Sequence, residues 1–296
     1  MTKSRSTRRP ARYFGPAGPL GCHVGIGGGV DKAPARGRDL GARAIQIFVR
    51  SPRMWKFPPL DQDTADAFRE QIVSQEIVAA VAHSMYLINL GSQKDDLWQK
   101  GIDALADEVE RCALLGVDRL VLHPGSAGDA GEKAGLRRIR DALNRVVRRT
   151  ADCPVTLLLE ITAGSGAHLG ASVDQLAWLI DHHRQPERLG ICLDTAHALA
   201  AGYPLHEKRG LRELIDEVEK KIGLEKLGCF HLNDSLKPYA SRRDRHARIG
   251  QGELGEAFFA RLLADNRLHG IPKILEVPGG DEAFREDLRL LARLAR

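Results

Sequence analysis

Short apolar runs alternate with longer amphipathic stretches along most of the chain. The apolar runs have the length of strands that are buried on both faces. Eight such runs occur, at 19–24, 44–49, 77–83, 119–123, 155–160, 189–194, 227–232 and 271–276. They predict eight short strands.

The stretches between these runs carry the spacing of amphipathic helices. In one of them the apolar residues recur every three to five positions, at Leu97, Ile102, Leu105, Val109 and Cys112. Gly116 follows as a predicted C-terminal cap. Strands that alternate with helices require a parallel sheet, and eight units in about 250 residues predict a single closed (β/α)8 TIM barrel. An open doubly wound sheet is the alternative.

The chain carries a formal net charge of +5, a mild excess that suits a polyanionic partner but does not require one. The distribution of the basic residues along the chain is more informative, because five of them precede the first acidic residue, Asp31. Residues 1–18 are therefore predicted to form a disordered basic arm, either merely solvated or in contact with DNA. Residues 19–296 are predicted to form one TIM-barrel catalytic domain, because no break in composition divides them.

The five cysteines include no C-x-x-C pair, which fits a reducing cytoplasm. No run approaches the roughly 18 consecutive apolar residues of a transmembrane helix. The basic N-terminus is followed by proline and glycine rather than an apolar signal core. A cytoplasmic location is expected, with an organellar transit peptide as the alternative.

Metal-ligand side chains stand at the ends of most predicted strands. Five strands end in such a residue and the seventh strand contains one: His83, His123, Glu160, Asp194, Glu276 and His231. Singly, each has an ordinary explanation as a hydrogen-bonded core residue, a helix cap or a surface charge. In a TIM barrel, however, the C-terminal ends of the strands form one rim. Carboxylates and imidazoles crowded there need compensating charge, which divalent metal ions usually supply.

Three further ligand-type residues follow from local spacing. His197 lies three residues after Asp194, where the chain is expected to turn from strand into loop, and Asp244 and His246 are two apart in R-D-R-H. The nine candidates exceed the three or four protein ligands of one catalytic zinc, so two or three ions are expected. Imidazole and carboxylate ligands without thiolates favour zinc, with manganese as the alternative. Clustered ions of this kind catalyse phosphoryl displacement.

The ordered motifs resemble those of the endonuclease IV family. They are A-H-S-M-Y-L-I-N-L-G (82–91), L-H-P-G-S (122–126), L-E-I-T-A-G-S-G (159–166), C-L-D-T-A-H-A-L-A-A-G-Y (192–203), H-L-N-D-S (231–235), R-D-R-H-A-R-I-G-Q-G-E-L-G (243–255) and L-E (275–276). The resemblance implies a zinc-dependent DNA repair endonuclease on a TIM barrel. Such an enzyme hydrolyses the phosphodiester 5′ to an abasic site in duplex DNA and leaves 3′-hydroxyl and 5′-deoxyribose phosphate ends.

The resemblance also implies three zinc ions and a role for each candidate ligand. The implied groups are His83, His123 and Glu160 for one ion, Glu160, Asp194, His231 and Glu276 for a second, and His197, Asp244 and His246 for a third. Glu160 and Glu276 are expected to be the catalytic carboxylates. A monomer is expected.

Candidate DNA contacts come from two sources. The resemblance implies that Arg53, Tyr86 and Leu87 insert at the damaged site, although the last two could instead be core residues of their loop. Independently, the segment 237–248 is rich in basic residues, with one acidic residue among them: Lys237, Arg242, Arg243, Arg245 and Arg248. As a loop on the rim, it is expected to bind the DNA backbone, chiefly through Arg242, Arg243 and Arg245.

Two other functions remain open from the sequence. A sugar isomerase or epimerase on a related barrel needs only one or two ions held mainly by carboxylates, and the extra imidazoles here argue against it. A noncatalytic protein that binds damaged DNA would use closed, cysteine-rich structural zinc sites, whereas no cysteine here has ligand spacing.

Overall fold

The computed structural model describes residues 17–296. Eight parallel strands close into a barrel, each hydrogen-bonded to the strands that precede and follow it in the chain and the last to the first. The barrel strands are β1 (Leu20–His23), β2 (Ala44–Phe48), β3 (Ala79–His83), β4 (Arg119–Leu122), β5 (Thr156–Glu160), β6 (Leu189–Asp194), β7 (Leu227–His231) and β8 (Lys273–Leu275). The predicted TIM barrel is confirmed. Residues 1–16 of the predicted arm lie outside the described residues.

The helices pack around the barrel. Within residues 17–296 they are α1 (Ala33–Asp39), α2 (Gln62–Ser74), α3 (Asp95–Leu115), α4 (Glu132–Arg149), α5 (Val173–Asp181), α6 (Thr195–Ala201), α7 (Gly210–Lys221), α8 (Gly255–Ala264) and α9 (Gly280–Leu294). The predicted helix before Gly116 is α3, and Gly116 caps it in the left-handed conformation, with φ 71°. None of these helices has the length and apolarity to cross a membrane.

Apolar side chains fill two regions. A larger core lies mainly between the strands and the helices, and a smaller cluster fills the barrel: Ala44, Val81, Val121, Leu158, Cys192, Cys229 and Ile274. All five cysteines are free thiols. Cys192 and Cys229 face each other in the ladder between β6 and β7 and are fully buried, as expected of small core residues.

A short antiparallel ribbon, Asp234–Ser235 with His246–Ala247, rises from the rim after β7. The buried Asp234 carboxylate accepts hydrogen bonds from five backbone amides, at 2.8 to 3.2 Å: those of Ser235, Gly250, Gly252, Leu254 and Gly255. A Cβ on Gly252 would lie 2.3 Å from the Ser235 carbonyl oxygen, so only glycine fits there. Asp234 thereby fixes the segment that leads from the ribbon to α8.

Candidate metal centre

The candidate ligands occupy one end of the barrel. Four of them are the last residues of their strands, His83, Glu160, Asp194 and His231. His123 and Glu276 directly follow β4 and β8, one residue later than the sequence pattern predicted. Because all eight strands are parallel, these side chains meet at the same rim.

Glu160 lies at the centre of the rim, fully buried among four imidazoles. Its Oε2 is 3.2 Å from His83 Nε2 and 3.1 Å from His123 Nε2. Its Oε1 is 3.1 Å from both His197 Nδ1 and His231 Nδ1. Burial raises the pKa of Glu160, but the charges of His231 and His123 lower it more, and the net pKa lies well below its ordinary value. The site therefore keeps Glu160 ionised and concentrates positive charge around it.

Asp194 and His197 are joined by helix capping. Asp194 ends β6 and is the N-cap of α6, and its Oδ1 accepts a hydrogen bond of 2.7 Å from the His197 backbone amide. The chain thus turns from the strand directly into a helix, not into the expected loop. The helix holds the buried His197 ring with Nε2 3.2 Å from Asp244 Oδ2.

The ribbon brings His246 back to the same place. His246 Nε2 lies 3.2 Å from Asp244 Oδ1 and 3.6 Å from Asp194 Oδ2. This nitrogen is buried and has no hydrogen-bond partner among residues 17–296. Burial lowers the pKa of His246, whereas Asp194 and Asp244 raise it, with a net pKa of about 9. A buried imidazole nitrogen that makes no hydrogen bond within residues 17–296 and lies beside two carboxylates is a suitable metal ligand.

Three groups on the rim have potential ligand atoms within 4.8 Å of one another. They are His83, His123 and Glu160; Glu160, Asp194, His231 and Glu276; and Asp194, His197 and His246. Asp244 contacts both imidazoles of the third group. A further group within the same distance, Cys192, Cys229 and His231, was not predicted. Burial raises the pKa of Cys192 well above its ordinary value, which disfavours Cys192 as a thiolate ligand, whereas the hydrogen bond from Cys192 and the charge of His231 outweigh burial and lower the pKa of Cys229.

Gln46, which the sequence analysis missed, orients two of the candidate ligands. It is a fully buried polar residue on β2. Its Oε1 lies 2.8 Å from His231 Nε2, and its Nε2 donates to Glu276 Oε1 at 2.6 Å. His23, at the end of β1, lies 3.3 Å from the same Glu276 oxygen. The only signal for Gln46 in the sequence is one amide in the apolar run A-I-Q-I-F.

Asn233, two residues after the end of β7, links Asp194 to Glu276. Its Nδ2 donates to Asp194 Oδ2 at 2.6 Å, and its Oδ1 accepts from the Glu276 backbone amide at 3.0 Å. Asn233 is fully buried and lies in the motif H-L-N-D-S. One amide side chain therefore connects the end of β6 to the residue that follows β8.

Tyr86 and Leu87 lie on the loop after β3, with exposed fractions of 62% and 39%. The Tyr86 ring packs edge-on against Phe48, with centroids 5.3 Å apart, and lies 6.1 Å from the His83 ring. Because both side chains are exposed, the alternative that they are core residues of their loop is disfavoured. Arg53 is also exposed, on the neighbouring loop.

A hydrogen-bond network beneath these two loops connects them to α3. Arg50 donates from its Nη2 to the Met54 and Trp55 carbonyl oxygens and from its Nη1 to Asp107 at 2.8 Å. On the same helix, Glu108 Oε1 accepts from the Met85 amide at 3.1 Å. The loop of Arg53 and the loop of Tyr86 are therefore anchored to adjacent residues of α3.

The basic loop contacts α6 through its backbone. Arg242 donates its amide to the Ala200 carbonyl at 2.9 Å. The side chains of Arg242, Arg243 and Arg245 are exposed. Arg248 differs, because its guanidinium lies 2.7 Å from both Glu286 and Asp287. The sequence pattern grouped Arg248 with the phosphate-binding residues, but these two ion pairs occupy its guanidinium.

Comparison with known proteins gives matches over nearly the whole chain. The family model described as xylose isomerase-like TIM barrel matches residues 34–294. A relative from Chloroflexus aurantiacus named probable endonuclease 4 is 42% identical over 271 residues, which cover 92% of this chain and 95% of the relative. A relative of the same name from Geobacter sulfurreducens is 41% identical and covers 94% of each chain.

Solved structures give the same result. Endonuclease IV from Thermus thermophilus superposes with a TM-score of 0.84 at 37% identity and covers 93% of this chain and 98% of that chain. A D-tagatose 3-epimerase-like protein superposes with a TM-score of 0.71 at 18% identity and covers 94% and 98%. At that identity the second likeness shows the fold alone.

Proposed function

The chain belongs to the endonuclease IV family, and from this premise we propose that it is a DNA repair endonuclease that cuts duplex DNA at abasic sites. The bond hydrolysed is the phosphodiester 5′ to the abasic sugar, which leaves 3′-hydroxyl and 5′-deoxyribose phosphate ends. The observation that carries the proposal is the convergence of nine imidazole and carboxylate side chains on one rim around Glu160.

The donor set fits a cluster of three divalent ions, mainly zinc. Nine nitrogen and oxygen donors without thiolates suit zinc, with manganese as the alternative. The unpartnered His246 Nε2 and the four imidazole nitrogens around Glu160 are donors in need of a cation or a proton. The three groups would be those described above, with Asp244 in the third and Glu160 shared by the first two.

The protein's own residues define what such a centre can do. When bound, divalent ions would lower the pKa of a water and offset the charge that develops on the phosphate oxygens. Gln46 and Asn233 hold His231, Glu276 and Asp194 at fixed positions. Preorganised ligands avoid reorganisation during the reaction.

The rim also carries the side chains that DNA binding requires. Arg242, Arg243 and Arg245 are exposed beside Asp244 and would contact the phosphate backbone. Tyr86 and Leu87 would fill the space left when the abasic nucleotide leaves the stack, and Arg53 would enter from the neighbouring loop.

A sugar isomerase on the same fold is disfavoured by the third group. An isomerase needs only one or two ions, which are held mainly by carboxylates. The third group adds two imidazoles and one carboxylate to that ligand set, from His197, His246 and Asp244. Phosphate, with several charged oxygens, is the substrate that benefits from additional ions.

The decisive experiment incubates the purified protein with a duplex that contains one abasic site, with and without a chelator. We expect incision directly 5′ to the site, loss of incision with chelator and recovery with zinc. Turnover of ketose or aldose sugars without incision would support the isomerase instead. An undamaged duplex of the same sequence is the control.

A further inference from the structure

A groove of about 1370 Å³ lies on the outer wall of the barrel, between α3, α4 and the turn after α5. For comparison, the cavity beside His83 and His123 measures about 140 Å³. The groove, which we call the basic groove, is lined by six arginines: Arg137, Arg138, Arg140, Arg145, Arg148 and Arg184. None of these residues lies on the candidate metal centre.

The charge of this groove contrasts with that of the rest of the fold. Five basic residues and no acidic residue precede residue 17, so residues 17–296 are formally neutral although the chain carries +5. The groove nevertheless has six arginines against Asp95 and Asp141, a formal excess of four positive charges. This local excess is large enough to attract a polyanion.

Three of the arginines have no side-chain partner in the part of the chain that the structure describes. Asp95 and Asp141 are paired with Arg138 and Arg140. Arg137, Arg148 and Arg184 are exposed, and their guanidinium groups form no ion pair or hydrogen bond within residues 17–296. They are therefore available to a ligand.

A tryptophan helps to hold the groove in shape. The Trp98 ring is buried between two guanidinium groups, with Arg138 Cζ 4.4 Å and Arg145 Cζ 4.5 Å from its centroid. Arg138 Nε also donates to the Ser92 carbonyl oxygen at 2.5 Å, at the end of the loop that carries Tyr86. Arg138 therefore connects the groove to the end of that loop.

We infer that the basic groove binds the phosphate backbone of duplex DNA away from the site of incision. Arg137 and Arg148 are separated by eleven helical residues, or about 16 Å, which is the rise of about five base pairs. The polar remainder of the lining includes Gln99, Asn144 and Gln185, side chains that suit sequence-independent phosphate contacts. The inference rests on the proposed function for the identity of the polyanion.

An acidic protein segment is the alternative ligand, and the lining disfavours it. Protein interfaces depend on apolar anchors that fill pockets. None of the large hydrophobic residues that are exposed in the described part of the chain lines this groove. A surface of arginines and amides fits a phosphate backbone better.

The test compares two triple variants that remove the same charge. The groove variant is Arg137→Gln, Arg148→Gln and Arg184→Gln, and the control is Lys220→Gln, Arg289→Gln and Arg293→Gln, all exposed. Binding of undamaged duplex is measured by fluorescence anisotropy over a range of salt concentrations. We expect the slope of log affinity against log salt to decrease by about 2 to 3 in the groove variant. The control should keep the parent slope.

Equal slopes in the two variants would overturn the inference. So would a groove variant that keeps the parent slope for DNA but loses affinity for polyglutamate, because the groove would then bind an acidic polypeptide. Incision of a short abasic duplex at low salt should be unchanged in both variants. If the triple variant does not fold, Arg148→Gln alone should lower the slope by about 1, and an unchanged slope would count against the groove.

The two proposals fail in different ways. A parent protein that does not incise abasic DNA refutes the proposed function, even if the groove variant loses salt-dependent binding. A parent that incises, with a groove variant indistinguishable from the control, refutes the groove alone.

Discussion

Gln46 Oε1 lies 2.8 Å from His231 Nε2, and this contact fixes the tautomer of the imidazole. The Gln46 amide nitrogen must face the Glu276 carboxylate, to which it donates at 2.6 Å, so its oxygen faces the ring and accepts from Nε2. The ring proton therefore lies on Nε2, and Nδ1 keeps its lone pair. Nδ1 lies 3.1 Å from Glu160 and 3.2 Å from Glu276. A buried amide on β2 thus decides which nitrogen is available for a metal.

We expect Gln46→Met to weaken metal binding by roughly 10- to 100-fold, the usual effect of losing a group that orients ligands. The change keeps the volume and removes both hydrogen bonds. Competition with a chelator of known affinity measures the result, and exposed Gln62→Met on α2 is the control. Unchanged metal affinity in Gln46→Met would show that the contact is only structural.

Metal content tests the cluster directly. The purified protein should contain close to three transition-metal ions per chain, because nine ligand residues exceed the number that two metal ions use. Asp244→Ala should lower the content by about one and impair incision without unfolding the barrel, since Asp244 lies on an exposed loop. Elemental analysis of the parent and the variant measures the number of metal ions per chain, and exposed Asp129→Ala is the control. One ion per chain in the parent would exclude the cluster.

Glu160→Gln should abolish incision more completely than any substitution in the basic loop. Its two oxygens contact four imidazoles, so replacing one oxygen with an amide nitrogen disturbs two of the proposed metal positions. The loss should exceed the roughly 10- to 100-fold effect of residues that only orient ligands. Single-turnover incision measures it, and exposed Glu213→Gln on α7 should behave as the parent. Near-normal turnover would mean that Glu160 is wrongly assigned.

Tyr86→Ala should weaken the binding of abasic duplex by about 1 to 3 kcal/mol, the usual contribution of stacking on an aromatic ring. Metal content and thermal stability should stay close to the parent values, because most of the side chain is exposed. The control is Val73→Ala, which removes an exposed hydrophobic side chain on α2, with an exposed fraction of 59%, away from the rim loops. Early melting or loss of zinc would favour a core role for Tyr86.

Glu108 gives a prediction for stability against pH. Burial raises the pKa of Glu108 to about 8, and the negative charge of Asp107 adds to this rise. The hydrogen bond from the Met85 amide and the charges of Arg50 and Arg111 lower the pKa but do not cancel the effect of burial. Glu108 Oε2 has no hydrogen-bond partner within residues 17–296, so a negative charge on that oxygen would be poorly stabilised. Folding therefore becomes less favourable as pH rises from about 4.5, where the unfolded chain ionises, to about 8.

Glu108→Gln removes this dependence and keeps an acceptor for Met85. Relative to the parent, the variant should gain up to about 1.4 kcal/mol of unfolding free energy for each pH unit in that window. Urea unfolding at several pH values measures the difference, and groups common to both proteins cancel. A constant difference across the window would refute the raised pKa.

The sequence predicted the barrel well because strands buried on both faces read as apolar runs, and every predicted run contains one strand. It also placed the candidate ligands, because parallel strands bring their C-terminal ends together whatever the spacing in the chain. Gln46 was missed because a single amide in an apolar strand has no periodic signal. The pairing of Arg248 with Asp287 depends on how α9 packs beside the ribbon, which no local pattern encodes.

The five amides around Asp234 have an evolutionary consequence. A carboxylate that binds only main-chain N–H groups imposes almost no requirement on the neighbouring side chains. Positions such as Gln251 and Glu253 are thus free to diverge, whereas Asp234, Gly252 and the positive-φ Gly250 and Gly255 are not. Selection on this part of the rim can change the surface presented to a substrate while the backbone that carries His246 stays in place.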